Sequence, residues 1–88
     1  MKYLILLILI SITNTACTQS AKEHYQKGND LLKEKKYQEA ITSYDAAILL
    51  DSVYAFAYNN KGRSLHELGK YEDATACFDK VIALNPIK

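Results

Sequence analysis

The chain has 88 residues, of which 49% are hydrophobic and 24% charged, with three Gly, one Pro and no Trp. That length holds at most one small domain, and the composition excludes disordered and collagen-like chains. Net charge is +1, and without Lys2 ten basic residues face ten acidic ones. This balance gives no electrostatic reason to expect nucleic acid as a partner.

The N-terminus, "MKYLILLILISITNTACTQS", opens with one basic residue and continues as an apolar run from Tyr3 to Ile12, interrupted only by Ser11. A bilayer span takes about 20 apolar residues, so this run is too short to cross. Its order, charge then apolar core, is that of a secretory signal, here residues 1–16. Thr15 and Ala16 place small residues directly before Cys17. The stretch "TNTAC" resembles the lipobox of bacterial lipoproteins, although Asn14 stands where that family usually has Leu. The resemblance implies cleavage before Cys17 and acylation of that cysteine. Residues 17–20 would then be a short tether to the membrane. It also implies export to the cell envelope, at the outer membrane or the periplasmic face. Secretion without an anchor is the alternative.

From Ala21 the chain repeats. Residues 21–54 laid over residues 55–88 without a gap give ten identities in thirty-four positions, where chance gives about two at ordinary composition. Each copy reads as two helices. The second half of each copy carries an apolar stripe at steps of three and four: Tyr37, Ala40, Ile41, Tyr44, Ala47 and Ile48, then Tyr71, Ala74, Phe78, Val81 and Ile82. That is helical periodicity. The first half predicts shorter helices at about His24–Glu34 and Tyr58–Leu68. Gly28 and Gly62 fall inside them, with Ala40 and Ala74 expected to face these glycines. Gly69–Lys70 marks a turn, which Lys35–Lys36 marks less clearly. Asn85–Pro86 stops the last helix.

These residues carry a resemblance to the tetratricopeptide repeat. It rests on Gly28, Leu31, Tyr37, Ala40, Tyr44 and Ala47 in the first copy. In the second it rests on Tyr58, Gly62, Leu65, Gly69, Tyr71, Ala74, Phe78 and Pro86. His24, Lys27, Lys61 and Val81 depart from the family pattern. The resemblance implies an all-α fold: two helix-turn-helix repeats stacked as a short right-handed solenoid behind the signal segment. It further implies a non-enzymatic binding module, with the first helix of each repeat lining a groove for a peptide or helix of another protein. On those helices Lys22, Tyr25 and Asn29, then Phe56, Asn59, Asn60 and Arg63, fall on one face. Asn29 and Asn60 match two positions of a carboxylate clamp found in some family members. Tyr25 stands where that clamp begins with Lys, and a third repeat is lacking, so no clamp is expected.

No phosphate loop, metal-ligand spacing or nucleophile–base pair is present in the sequence. No catalytic residue, metal or other cofactor is expected. Two repeats are fewer than the three or so that such arrays usually need. Apolar surface on the second copy is therefore expected to stay open, for self-association or for a partner. The alternative is a fragment of a longer array with no autonomous role.

Overall fold

The structure, a computed structural model, describes residues 19–85. The signal segment, Cys17 and Pro86 lie outside the described residues. Four helices follow one another: α1 (Ala21–Lys33), α2 (Tyr37–Leu50), α3 (Ala55–Glu67) and α4 (Tyr71–Leu84). No strand occurs among the described residues. α1 and α2 form one antiparallel hairpin, α3 and α4 a second, and α2 packs on α3 to join them.

α1 begins at Ala21 and α3 at Ala55, three residues before the expected His24 and Tyr58. The cause at α1 is a capping box. The Ser20 hydroxyl accepts the Glu23 backbone N–H at 3.2 Å, and the Glu23 carboxylate accepts the Ser20 backbone N–H at 3.4 Å. Two donors that the first turn leaves free are thereby satisfied. At α3 the carbonyl of Tyr54 starts the helix by accepting the N–H groups of Ala57 and Tyr58.

Both hairpins turn the same way. In the first, Lys35 N–H donates to the Leu32 carbonyl and Lys36 N–H to the Leu31 carbonyl, each at 2.9 Å. In the second, Gly69 N–H donates to His66 and Lys70 N–H to Leu65, again at 2.9 Å. This paired closure requires a left-handed residue just past the helix. Gly69 has φ 81° and Lys35 has φ 62°. The first turn thus has the geometry of the second without the glycine that makes it easy.

The glycines let the two helices of each hairpin meet closely, and the atoms nearest to them are those of aromatic rings. A Cβ on Gly28 would stand 2.5 Å from Cε1 of Tyr44, and one on Gly62 would stand 2.7 Å from Cε1 of Phe78. Each ring lies against bare backbone of the partner helix. Ala40 and Ala74 are buried in the core. One cluster joins Ala40, Tyr44, Ala47 and Ala57, with Tyr25, Ile48 and Tyr54 against it. A second joins Ile41, Leu65, Ala74 and Cys77, with Phe78 against it. The apolar stripe of the second copy is open at two places, the one at Ile82 as expected for that copy. Tyr71 is 59% exposed and Ile82 is 65% exposed. Tyr71 instead meets the His66 ring edge-on at 4.9 Å.

Candidate partner groove

The face shared by α1 and α3 is built around two asparagines. Oδ1 of Asn29 accepts hydrogen bonds from the Tyr44 hydroxyl and from Nδ2 of Asn60, both at 2.8 Å. The Asn60 amide also donates to the Tyr25 hydroxyl at 3.3 Å, while its Oδ1 accepts from Nη1 of Arg63 at 3.5 Å. Four residues expected on the groove face (Tyr25, Asn29, Asn60 and Arg63) therefore form one network across both repeats. Burial pushes the Tyr44 phenol up to about 12. It stays protonated near neutral pH and keeps its role as donor.

Around this centre the side chains are open. Phe56 is 69% exposed and its ring centroid lies 6.3 Å from that of Tyr25. Tyr25 continues against Tyr54 at 5.1 Å. Lys22, Asn59 and Arg63 are exposed. A recess of about 370 Å³ lies between Asn29, Leu32, Lys33, Asn60 and Arg63. Its walls offer amides, a guanidinium and an ammonium, together with a leucine. Such a surface can hold an extended peptide by side-chain hydrogen bonds while an aromatic pair covers an apolar residue.

A larger cleft, about 560 Å³, was not anticipated from the sequence. It is lined by Ile41 and Asp45 of α2, Tyr58, Lys61 and Leu65 of α3, and Cys77 and Lys80 of α4. Nζ of Lys61 lies 2.6 Å from Oδ1 of Asp45, tying the first repeat to the second. Burial acts to lower the Lys61 ammonium, but the Asp45 hydrogen bond and charge outweigh it and the net shift is upward. The signal was present in the sequence: Lys27/Lys61 and Asp45/Asp79 are identical between copies although Lys departs from the family pattern there. Burial also pushes the Cys77 thiol up, which leaves it protonated and a poor nucleophile near neutral pH. Among the described residues no group of three or more His, Cys, Asp or Glu could hold a metal ion.

Two hairpins of like turn, like ring-on-glycine contact and thirty-four-residue offset define an all-α repeat protein of the solenoid class. Residues 28–69 match the family model described as TPR repeat, and residues 55–87 match the one described as tetratricopeptide repeat. The chain belongs to the tetratricopeptide repeat family. It is 38% identical over 68 residues to the STIP1 homolog of Dictyostelium discoideum, covering 77% of this chain and 12% of that one. An uncharacterized protein of Methanocaldococcus jannaschii is 32% identical over 66 residues, covering 75% of this chain and 77% of the relative. Among solved structures, the second repeat domain of Spaghetti (RPAP3) bound to the HSP90 peptide SRMEEVD is similar, at TM-score 0.77 and 32% identity. That match covers 86% of this chain and 66% of the other. The chain spans only 7% to 12% of the length of the eukaryotic curated relatives.

Proposed function

We propose that the chain is a non-catalytic interaction module of the cell envelope, anchored by lipid on Cys17, that binds a peptide or helix of another protein along α1 and α3. The observation that carries the binding reading is Phe56. A large aromatic ring stands in solvent beside Tyr25, on the same helix pair as a recess ringed by polar groups. That combination is costly to leave in water and suits an apolar anchor with hydrogen-bonded flanks. The similar Spaghetti domain holds a peptide, which supports the same use here.

The chemistry of the peptide should differ. Tyr25 gives the groove a phenol that accepts the Asn60 amide, where a clamp for a terminal carboxylate would begin with a cation. The proposed ligand is therefore an internal segment with one apolar side chain over Tyr25 and Phe56. A photo-crosslinker at Asn59 in the full chain, expressed in the cells that make it, should capture a protein. The same probe at Glu39 on α2 should not. Equal capture at both would remove the groove reading. Against a captured segment, Phe56→Ala and Arg63→Ala should each weaken binding about tenfold, the ~1.4 kcal/mol of one lost anchor. Amidating the peptide's C-terminus should change nothing. Intact mass of the mature N-terminus tests the anchor separately.

A second reading, self-association, draws on the open Ile82 side chain of α4. Simple head-to-tail stacking is opposed by Glu23, which occupies on α1 the place that buried Ala57 holds on α3. Sedimentation of the full chain at micromolar concentration decides it, and a monomer removes this reading.

A further inference from the structure

Most of the large exposed apolar side chains among the described residues gather at one end of the molecule, with only Leu68 and Tyr71 at the other. Leu49 (86% exposed), Leu50 and Val53 occupy the end of α2 and the link to α3, and Phe56 follows in the first turn of α3. Antiparallel hairpins bring the end of α2, the start of α3, the end of α4 with Ile82, and the start of α1 to this same end. Contacts agree: Ala21 at the start of α1 joins the cluster of Ala47, Ala57 and Tyr54. The far end differs in that its exposed Leu68 and Tyr71 are set among exposed Glu34, Lys35, Lys36 and Lys70.

The tip is also chemically suited to leave water. Between Ala46 and Ala57 the only charged residue is Asp51, and its carboxylate accepts the Val53 backbone N–H at 3.2 Å. The Asp51 carbonyl accepts Tyr54 N–H, and the Ser52 carbonyl accepts the Tyr58 hydroxyl at 3.1 Å. Loop polar groups that would resist an apolar medium are thus partly occupied from within.

Tether length supplies the occupant. Four residue steps separate Cys17 from Ala21, and an extended chain spans ~14 Å over that distance. A membrane that holds Cys17 therefore holds the start of α1 within about that distance, and the apolar tip stands beside the start of α1. The geometry points to a membrane foot: Leu49, Leu50 and Val53 enter the headgroup–acyl boundary of the bilayer that anchors the chain, while Phe56 stays at the edge, toward the groove. This rests on the lipid-anchor reading. Among the described residues Lys22 and Lys80, whose ammonium stands 5.9 Å over the Tyr58 ring, are the cations near the tip, too few to make anionic lipid a requirement, so contact proceeds chiefly by apolar burial.

The full chain carrying Cys77→Ser, a change that copies Ser43 at the equivalent buried place, is given one introduced label site, and the same chain without it measures and subtracts any label taken by an unacylated Cys17. Leu49→Cys or Val53→Cys is labelled with an environment-sensitive fluorophore, and Leu68→Cys at the far end serves as control. The labelled chains are placed on phosphatidylcholine vesicles containing nitroxide lipids. Quenching should be several-fold greater at 49 and 53 than at 68 and should survive high salt. Equal quenching at all three sites overturns the foot. So does a shielded but unquenched label at 53, which would instead mark a second copy or another protein. Intact mass reports the lipid independently. A lipidated chain with no quenching at 53 removes the foot and keeps the anchor. An unlipidated chain still quenched at 53 removes the anchor and keeps the foot. An unlipidated, unquenched chain removes both.

Discussion

Gly28 and Gly62 illustrate how one atom decides a hairpin. Alanine at either place gains ~1 kcal/mol of helix propensity, but its Cβ overlaps a ring, and overpacking of this kind costs about 1–3 kcal/mol. The two positions should differ. Tyr44 is buried and its hydroxyl is held by Asn29, so it cannot swing aside. Phe78 is only half-buried and has no such tether. Gly28→Ala should therefore lower stability by about 2 kcal/mol and Gly62→Ala by less, as read from urea midpoints. Tyr44 also sets an alkaline limit. Its folded value of about 12 lies above the ordinary 10, so the folded state keeps a proton that the unfolded state has lost. Stability is whole below pH 10 and falls at up to about 1.4 kcal/mol per pH unit until about pH 12. Tyr54 and Lys61 are shifted in the same direction and add to that window. Tyr44→Phe should remove part of the slope, and a slope unchanged by it would refute the assignment.

Helix ends carry the next layer of argument. The Ser20–Glu23 box fixes where α1 begins, so Ser20→Ala should cost about 1 kcal/mol and fray the first turn of α1. The two turns pose a sharper test because they share one hydrogen-bond pattern with different residues. Lys35 holds a left-handed conformation that costs an L-residue about 1–2 kcal/mol, against roughly 0.5–1 kcal/mol of extra chain entropy that Gly would lose. Lys35→Gly should stabilise the fold by a few tenths to 1 kcal/mol, and Gly69→Lys should destabilise it by a similar amount. Hydrogen exchange of the Leu31 and Leu65 turns would show whether the effect stays local.

At the scale of the whole molecule the question is what makes two hairpins one unit. Apolar contact of α2 on α3 supplies most of it, through Ile41 with Leu65 and through Tyr44 and Ala47 with Ala57. The polar link is the hydrogen bond from Asn60 to Asn29, joined by the partly exposed Lys61–Asp45 pair, which is worth roughly 0–1 kcal/mol. Asn29→Ala combined with Asn60→Ala should show a coupling of about 1 kcal/mol in a double-mutant cycle. Each single change should broaden the unfolding transition. Loss of partner binding in these variants would therefore report loss of inter-repeat order, so Phe56 and Arg63 are the better probes of the groove.

The thirty-four-residue period and the helical spacing of the apolar stripes were enough to give four helices and their pairing, because burial of one helical face leaves its mark at every third or fourth residue. The start of α1, expected at about His24, was misplaced by three residues because the signal at Ser20 and Glu23 was not read as a cap. Tertiary structure alone decided the rest. Asn29 and Asn60 read as groove donors when each helix is viewed by itself. Thirty-one residues apart in sequence, they spend their hydrogen bonds on each other because the packing of α2 on α3 brings the two first helices side by side. Tyr71 carries the periodicity of a buried residue yet lies in solvent, since periodicity records which face a residue shares and not whether a neighbour covers it, whereas the open Ile82 is what the sequence leads one to expect of the second copy. The gathering of Leu49, Leu50, Val53 and Ile82 beside the start of α1 exists only once both hairpins have folded back, for no local pattern relates one helix end to another.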